Sequence, residues 1–178
     1  MKKLTILICV LAILLSLAGV ASASKPEEGE FSITGSTTFY DYEVLPSGRT
    51  KFHLTAVGDA SGHLTGTFSY EEKGNVGFDP LSGEGTWRGT NHATMTITNT
   101  GDSIAVVKFR GRTIITGSFP ISPTLYVPLG FVEGTFTVLH GTGDYAGVHG
   151  QGTYTATLPP PLIQFTVTFT GQFHTDPQ

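Results

Sequence analysis

The chain has 178 residues, 23 of them glycine, and only 13% are charged, with a formal net charge of −4 at pH 7. That length suits one ordinary domain with an adequate hydrophobic core. No run of five or more basic residues occurs, which argues against binding to nucleic acid or to an anionic membrane surface. The low charge and the abundance of threonine and glycine are instead typical of an exported β protein.

Residues 1–23 are predicted to be a signal peptide. Two lysines precede an apolar run over residues 4–20, and an A-x-A pattern ends at Ala23. The run is short for a membrane span of about 20 residues, so a retained anchor is the less favoured alternative. We expect cleavage near Ala23, a secreted or periplasmic protein, and no membrane span in the mature chain. The only cysteine, Cys9, would be lost with the leader, which excludes disulfides and thiol chemistry.

After the leader, apolar and polar residues alternate with the period of two that is typical of β-strands. Residues 163–173 are the clearest case, with apolar residues and one glycine on one face and threonine and glutamine on the other. Turn signals separate such stretches at residues 46–49, 58–62, 99–102 and 141–147. Longer connections are predicted at residues 72–83 and 118–130. The predicted strands lie near residues 30–44, 50–57, 63–72, 84–98, 103–116, 131–140, 150–158 and 162–173.

A glycine followed two residues later by an aromatic residue recurs along these strands. The glycines are Gly66, Gly85, Gly117, Gly134, Gly152 and Gly171. Residues two apart share a face of a strand, so each glycine would lie on the apolar face, where it lets the strand coil and a neighbouring ring can cover the gap.

Eight amphipathic antiparallel strands must also hide the edges of their sheet, and closing the sheet into a barrel does so. The sequence therefore predicts an all-β protein with a single antiparallel, eight-stranded, meander-like β-barrel over residues 30–174. A short flexible segment (24–29) would precede the barrel and a tail (175–178) would follow it. A two-sheet β-sandwich is the alternative architecture.

The glycine-rich stretch GTGDYAGVHGQGTYTA, residues 141–156, could be a phosphate-binding loop or a hairpin. GTGDYA matches the G-x-G-x-x-A pattern of dinucleotide-binding loops, but that pattern must open a helix, and alternating strand-like residues follow here. The glycines instead favour a hairpin, at positions that need positive φ or a close approach of strands.

The same stretch resembles the late hairpin of the β-barrels of the allene oxide cyclase and dirigent type. The matching residues are Gly141, Thr142, Gly143, Tyr145, Gly147 and Gly150. The resemblance is strongest over the last third of the chain and extends loosely over residues 84–173. It implies a calycin-like barrel whose interior holds a small hydrophobic molecule, and a structural role for the hairpin. Plant members of these families cyclise an epoxide or steer phenoxy-radical coupling; the resemblance assigns no catalytic residue in this chain.

Polar residues that share the apolar face of a strand are the candidates for orienting a ligand. Asn91 shares the face of Trp87, and His140 extends the face of Phe136. The predicted ligand-binding residues are Trp87, Asn91, Phe136, His140, Tyr154 and Phe169. The alternative is that the polar members are simply hydrogen-bonded at the barrel mouths. Asp41 with His140 is the only pair that the pattern offers for acid–base catalysis.

The six histidines show no zinc-binding spacing, and no calcium loop or nucleophilic serine motif occurs. We therefore expect no metal and no cofactor. The leading hypothesis is a secreted barrel that binds a small hydrophobic molecule in its interior. The alternatives are a structural or protein-interaction module of the cell exterior, with the interior filled by side chains, and an isomerase or cyclase of the resembled type. The sequence leaves the oligomeric state open.

Overall fold

Eight strands follow one another along the chain as a meander. The computed structural model describes residues 25–78, 86–116, 130–158 and 164–176. The strands are β1 (Glu27–Val44), β2 (Arg49–Gly62), β3 (Gly66–Phe78), β4 (Thr86–Thr98), β5 (Ile104–Thr116), β6 (Gly130–Gly141), β7 (Val148–Leu158) and β8 (Gln164–Thr175). Each strand pairs antiparallel with the next, and β8 pairs with β1 to close the barrel. The predicted eight-stranded barrel is confirmed, and the β-sandwich is excluded.

The alternation of side chains decides which face of each strand is buried. Along β8, Phe165, Val167, Phe169 and Phe173 are buried, whereas the threonines between them are exposed or half-buried. On the outer face of the seam between β1 and β8, hydroxyl groups pair across the strands, as in Thr34 with Thr166 at 3.2 Å. The apolar side chains thus fill the interior and threonine covers the outside.

The barrel has two ends, which we call upper and lower. At the upper end, strands β1, β3, β5 and β7 end and strands β2, β4, β6 and β8 begin. The lower end carries the connections β2–β3, β4–β5 and β6–β7, together with the start of β1 and the end of β8. The predicted connection at residues 118–130, except for Gly130, lies outside the described residues, as does the predicted leader.

Aromatic rings fill the lower half of the interior. Phe31 stacks on Phe169 with ring centroids 4.4 Å apart, and Phe136 meets both of them edge-on, at 5.7 and 5.5 Å. Phe173 adds a fourth ring to this cluster. Offset and edge-to-face contacts of this kind stabilise a core beyond the burial of apolar area alone.

Glycines opposite aromatic residues make the curvature of the barrel possible. Gly134 pairs with Tyr154, and a Cβ atom at Gly134 would lie 2.6 Å from the tyrosine ring; Gly152 pairs with Phe136 in the same way, with a separation of 2.9 Å. Rings on neighbouring strands therefore occupy the space that a side chain would need, as predicted for these two glycines. Gly85 and Gly117 lie outside the described residues.

Two predicted strand ends are wrong. Residues 58–62 are not a turn but the end of β2, where Gly58 pairs with Gly35 so closely that a Cβ atom would collide with the backbone oxygen of Thr34. Strand β3 does not end near residue 72 but continues to Phe78.

The predicted flexible segment and tail are also shorter than expected. Residues 27–29 belong to β1, where Glu27 pairs with Phe173. Strand β8 runs through Thr175, and the Asp176 backbone N–H donates to the Gly147 oxygen at 2.9 Å. In the part of the chain that the structure describes, no helix is long and apolar enough to cross a membrane.

Candidate functional site

Three polar side chains meet inside the barrel, above the aromatic cluster. Asn91 on β4 is only 3% exposed, and its Nδ2 donates to the hydroxyl of Tyr154 on β7 at 3.0 Å. The third side chain is that of Glu72 on β3, which forms a hydrogen bond with Asn91. We call Glu72, Asn91 and Tyr154 the interior polar cluster.

Two glycines allow the Tyr154 side chain to reach Asn91 along the inner surface of the barrel. Strands β5 and β6 separate β7 from β4, and they present Gly111 and Gly134 at this level. A Cβ atom at Gly111 would collide with the Tyr154 hydroxyl, and one at Gly134 would meet the tyrosine ring. The absence of side chains on two successive strands thus opens the path along which the tyrosine lies.

The carboxyl group of Glu72 ionises near neutral pH instead of in the acidic range. Burial raises the pKa of its carboxyl group to about 7, and the hydrogen bond with Asn91 acts in the opposite direction. A hydrogen bond that lowers the pKa of a carboxyl group is one that favours its charged form. At pH values below about 7, Glu72 is therefore mainly a neutral acid that can donate a hydrogen bond.

The two tyrosines next to this carboxyl group stay neutral as well. Burial is the main cause that raises the pKa of Tyr70 and of Tyr154 above the ordinary range, and the charge of Glu72 adds to it in both cases. Within this region the protein thus offers hydroxyl, amide and carboxyl groups and no positive charge among the cluster residues. Such a set suits a neutral ligand oxygen better than a ligand anion.

Apolar side chains surround the polar cluster above and below. Below it, the ring of Tyr154 contacts Phe109 and Phe169 at centroid distances of 5.1 and 5.5 Å. Above it, Tyr42 pairs with Phe52 on the inner face at the upper end of β1 and β2. Tyr42 is 37% exposed, so it is accessible to solvent near the upper rim.

Five of the six predicted ligand-binding residues fall into three groups. Asn91 and Tyr154 are brought together in the polar cluster. Phe136 and Phe169 lie in the packed aromatic cluster below it and form its floor. The backbone of Trp87 pairs with Phe78 and Ile115, while its side chain lies outside the described part of the structure.

The placement of His140 on the inner face is wrong. Strand β6 has a bulge: Val106 pairs with His140, the next residue Val107 pairs with Val138, and Leu139 is left over. The extra residue reverses the alternation, so Val138 is buried and His140 is exposed.

Asp41 likewise faces outward, opposite His53, after a bulge at Thr38 in β1. It lies near the upper end of the barrel, whereas His140 lies next to the lower end. The structure therefore does not bring Asp41 and His140 together, and they cannot act as an acid–base pair.

Sequence reasoning misses Glu72 because it assigns residues 72–83 to a connection. The alternation in fact continues through Tyr70, Glu72, Gly74 and Val76, with Tyr70 and Val76 buried. Charged residues at 71, 72 and 73 hide this pattern, because only the middle one points inward.

The glycine-rich stretch forms the β6–β7 hairpin. Gly143 and Gly147 have positive φ values of 58° and 73°, and only a three-residue 3-10 turn, Gly143–Tyr145, lies between the strands. The hairpin packs on two neighbouring turns: the Asp144 N–H donates to Ser103 Oγ at 2.9 Å, and the buried Tyr145 hydroxyl accepts from the Thr65 N–H at 2.9 Å. The stretch thus braces the lower end and has no long helix that could hold a pyrophosphate.

In comparisons with known proteins, the chain matches no family model, no curated protein and no solved structure. The resemblance of the hairpin to the allene oxide cyclase and dirigent type stays a prediction. A function is therefore inferred from the geometry of the barrel interior.

Proposed function

We propose that the barrel binds a small, mainly apolar molecule in the upper half of its interior. The interior polar cluster would hold an oxygen atom of that molecule, and the aromatic floor and rim would contact its apolar part. The observation that carries the proposal is the position of three polar side chains in an interior whose described buried residues are mostly apolar. Pockets for small molecules combine mostly apolar surface with a few convergent polar groups.

The burial of the cluster supports this proposal. Asn91 and Tyr154 are buried, whereas Glu72 is half-buried and Leu54, which pairs with it, is only partly buried. A polar group inside a protein costs free energy unless it is hydrogen-bonded. Glu72 is the least buried member of the cluster. A ligand oxygen in contact with it would supply a hydrogen-bond partner on that side.

Native mass spectrometry of the protein purified from the culture medium tests this proposal. We expect a species heavier than the polypeptide that loses the extra mass on solvent extraction. In the variant Leu54→Trp, the larger ring should fill the space beside Glu72 and remove the bound molecule. The matched control is Val57→Trp on the same strand, because Val57 points outward and is 47% exposed; it should retain the molecule.

A bare mass for the wild type, together with no response to the apolar fluorophore N-phenyl-1-naphthylamine, would contradict binding. It would favour the alternative of a structural or protein-interaction module. The packed aromatic cluster of the lower half is the observation that fits this alternative, since small eight-stranded barrels can be filled by side chains.

Glu72 supports a second candidate function, an isomerase or cyclase. A carboxyl group with a pKa of about 7 can act as a general acid or base near neutral pH. If the extracted molecule is converted to an isomer, Glu72→Gln should abolish the conversion while the molecule still binds. Equal conversion rates in the variant and the wild type would exclude this role of Glu72.

A further inference from the structure

We propose that His149, His174 and Asp176 bind a divalent transition-metal ion, with zinc as the best-matched metal, on the outer face of the barrel at its lower end. The site is independent of the interior polar cluster and of the function proposed for it. It lies on strands β7 and β8, next to the β6–β7 hairpin.

The antiparallel register of β7 and β8 brings the two histidines together. His149 pairs directly with His174, and both point outward because their neighbours Val148, Gly150 and Phe173 are buried. Their rings lie nearly parallel, 18° apart, with centroids separated by 5.1 Å. They are 25 residues apart in the chain, so no local spacing pattern reveals them.

Asp176 places one carboxylate between the two imidazoles. Its Oδ2 atom lies 3.1 Å from His149 Nε2, and its Oδ1 atom lies 3.9 Å from His174 Nε2. One ligand atom from each of the three residues falls within 4.8 Å of the others. A tetrahedral zinc ion with bonds of about 2.0–2.2 Å separates neighbouring ligand atoms by roughly 3.3–3.6 Å. The two distances involve different oxygen atoms of the carboxylate, so side-chain rotations would have to bring one oxygen atom and both imidazole nitrogens to that spacing.

The backbone holds these ligands in place without a metal. The Asp176 N–H donates to the Gly147 oxygen, which adds one hydrogen bond beyond the end of β8. Gly147 has a φ of 73°, and a Cβ atom there would lie 3.1 Å from the backbone oxygen of Asp176. The turn that contains this glycine thus anchors Asp176, while the strand ladder positions both histidines.

The ligand set selects the class of ion. Two imidazole nitrogens and one carboxylate oxygen suit zinc, copper(II) and nickel(II) better than calcium or magnesium, which prefer all-oxygen sites. Three protein ligands leave a fourth tetrahedral position for water. All three side chains are exposed or half-buried, so an ion can enter from solvent.

Zinc titration calorimetry of the exported protein, purified without a polyhistidine tag and treated with chelator, tests the site. We expect one zinc ion per chain and an increase in the melting temperature with zinc concentration. His149→Gln and His174→Gln should each weaken binding at least about tenfold. The matched control is His53→Gln, because His53 lies 3.0 Å from the carboxylate of Glu71 but belongs to no cluster of three metal-ligating side chains among the described residues; this variant should bind zinc like the wild type.

Cobalt(II) gives a readout of the geometry. Substituted into the wild type, it should show the visible absorption of a four-coordinate ion, and Asp176→Asn should change that spectrum. Far-UV circular dichroism of each variant without metal checks that the barrel is intact. Zinc uptake that is not saturable, or that is unchanged in the double variant H149Q/H174Q, would overturn the proposal.

Discussion

The barrel around Glu72 shifts the ionisation of its carboxyl group into the neutral pH range. Its pKa is raised from 4.5 to about 7 in the folded protein, so the folded state binds the proton more tightly than the unfolded state does. The resulting stabilisation is fully present below pH 4.5 and is lost as the pH rises through 7. The wild type should therefore unfold more easily at pH 8.5 than at pH 5 because of this one group.

Glu72→Gln removes this dependence, since glutamine does not ionise. Urea unfolding at pH 5 and pH 8.5 should show that the wild type loses up to about 2–3 kcal/mol more than the variant over this interval. The control is Glu71→Gln on the outer face, where Lys73 lowers the pKa of the carboxyl group. Parallel pH profiles for the wild type and Glu72→Gln would show that the carboxyl group of Glu72 is not desolvated.

The hydroxyl group of Tyr154 also contributes to the stability of the barrel. Tyr154→Phe keeps the ring but leaves the Asn91 amide without its 3.0 Å partner, and an unsatisfied buried polar group costs about 1–3 kcal/mol. We expect the free energy of unfolding in urea to fall by that amount. Tyr42→Phe at the exposed rim should have almost no effect; an equal loss in both variants would contradict the role of the buried hydrogen bond.

At the scale of elements, the β6–β7 hairpin depends on the backbone conformation of Gly143. Gly143→Val should destabilise the protein by about 1–3 kcal/mol, because a β-branched residue is strained at positive φ and its Cβ atom would collide with Ser103 Oγ. Gly48→Val is the matched control: Gly48 has a φ of 79°, but a Cβ atom there would have no other atom within 4 Å, so it should show the backbone strain alone. Equal melting temperatures for Gly143→Val and the wild type would contradict this account.

The strands are predictable from the sequence because alternation decides which face of an element is buried. The same rule fails wherever one residue is inserted into the ladder. Bulges at Thr38 and Leu139 reverse the alternation after them, and this is why periodicity alone places Asp41 and His140 inside. No local signal marks these insertions, because they depend on the pairing of neighbouring strands.

Partners from distant parts of the chain are equally hidden in the sequence. Alternation places both Asn91 and Tyr154 in the interior, but their contact depends on two glycines of the intervening strands. Glu72 lies between two outward-facing charged residues, and His149 and His174 meet only through the register of β7 and β8. Composition and periodicity predict whether a segment is a strand or a helix. They do not predict which residues of different strands face each other, and these sites depend on that.

At the scale of the whole molecule, the barrel is closed by the pairing of its first and last strands. Ten residues of β1, from Glu27 to Ser36, pair with β8. A chain that ends at Leu158 would lack β8 and would leave edges of β1 and β7 unpaired. Because unpaired edges are templates for pairing with other chains, we expect this truncated chain to aggregate, and a chain that ends at Asp176 to remain in the supernatant after centrifugation.

The same seam has a consequence for synthesis on the ribosome. Glu30 and Thr170, which approach each other across it, are 140 residues apart, so β1 emerges long before its second neighbour exists. Contacts between such distant residues slow folding, because the chain loses much entropy before they form. The nascent chain therefore carries an unpaired edge of β1 until β8 has been synthesised, and a chaperone that covers β1 during this interval would raise the yield of folded barrel.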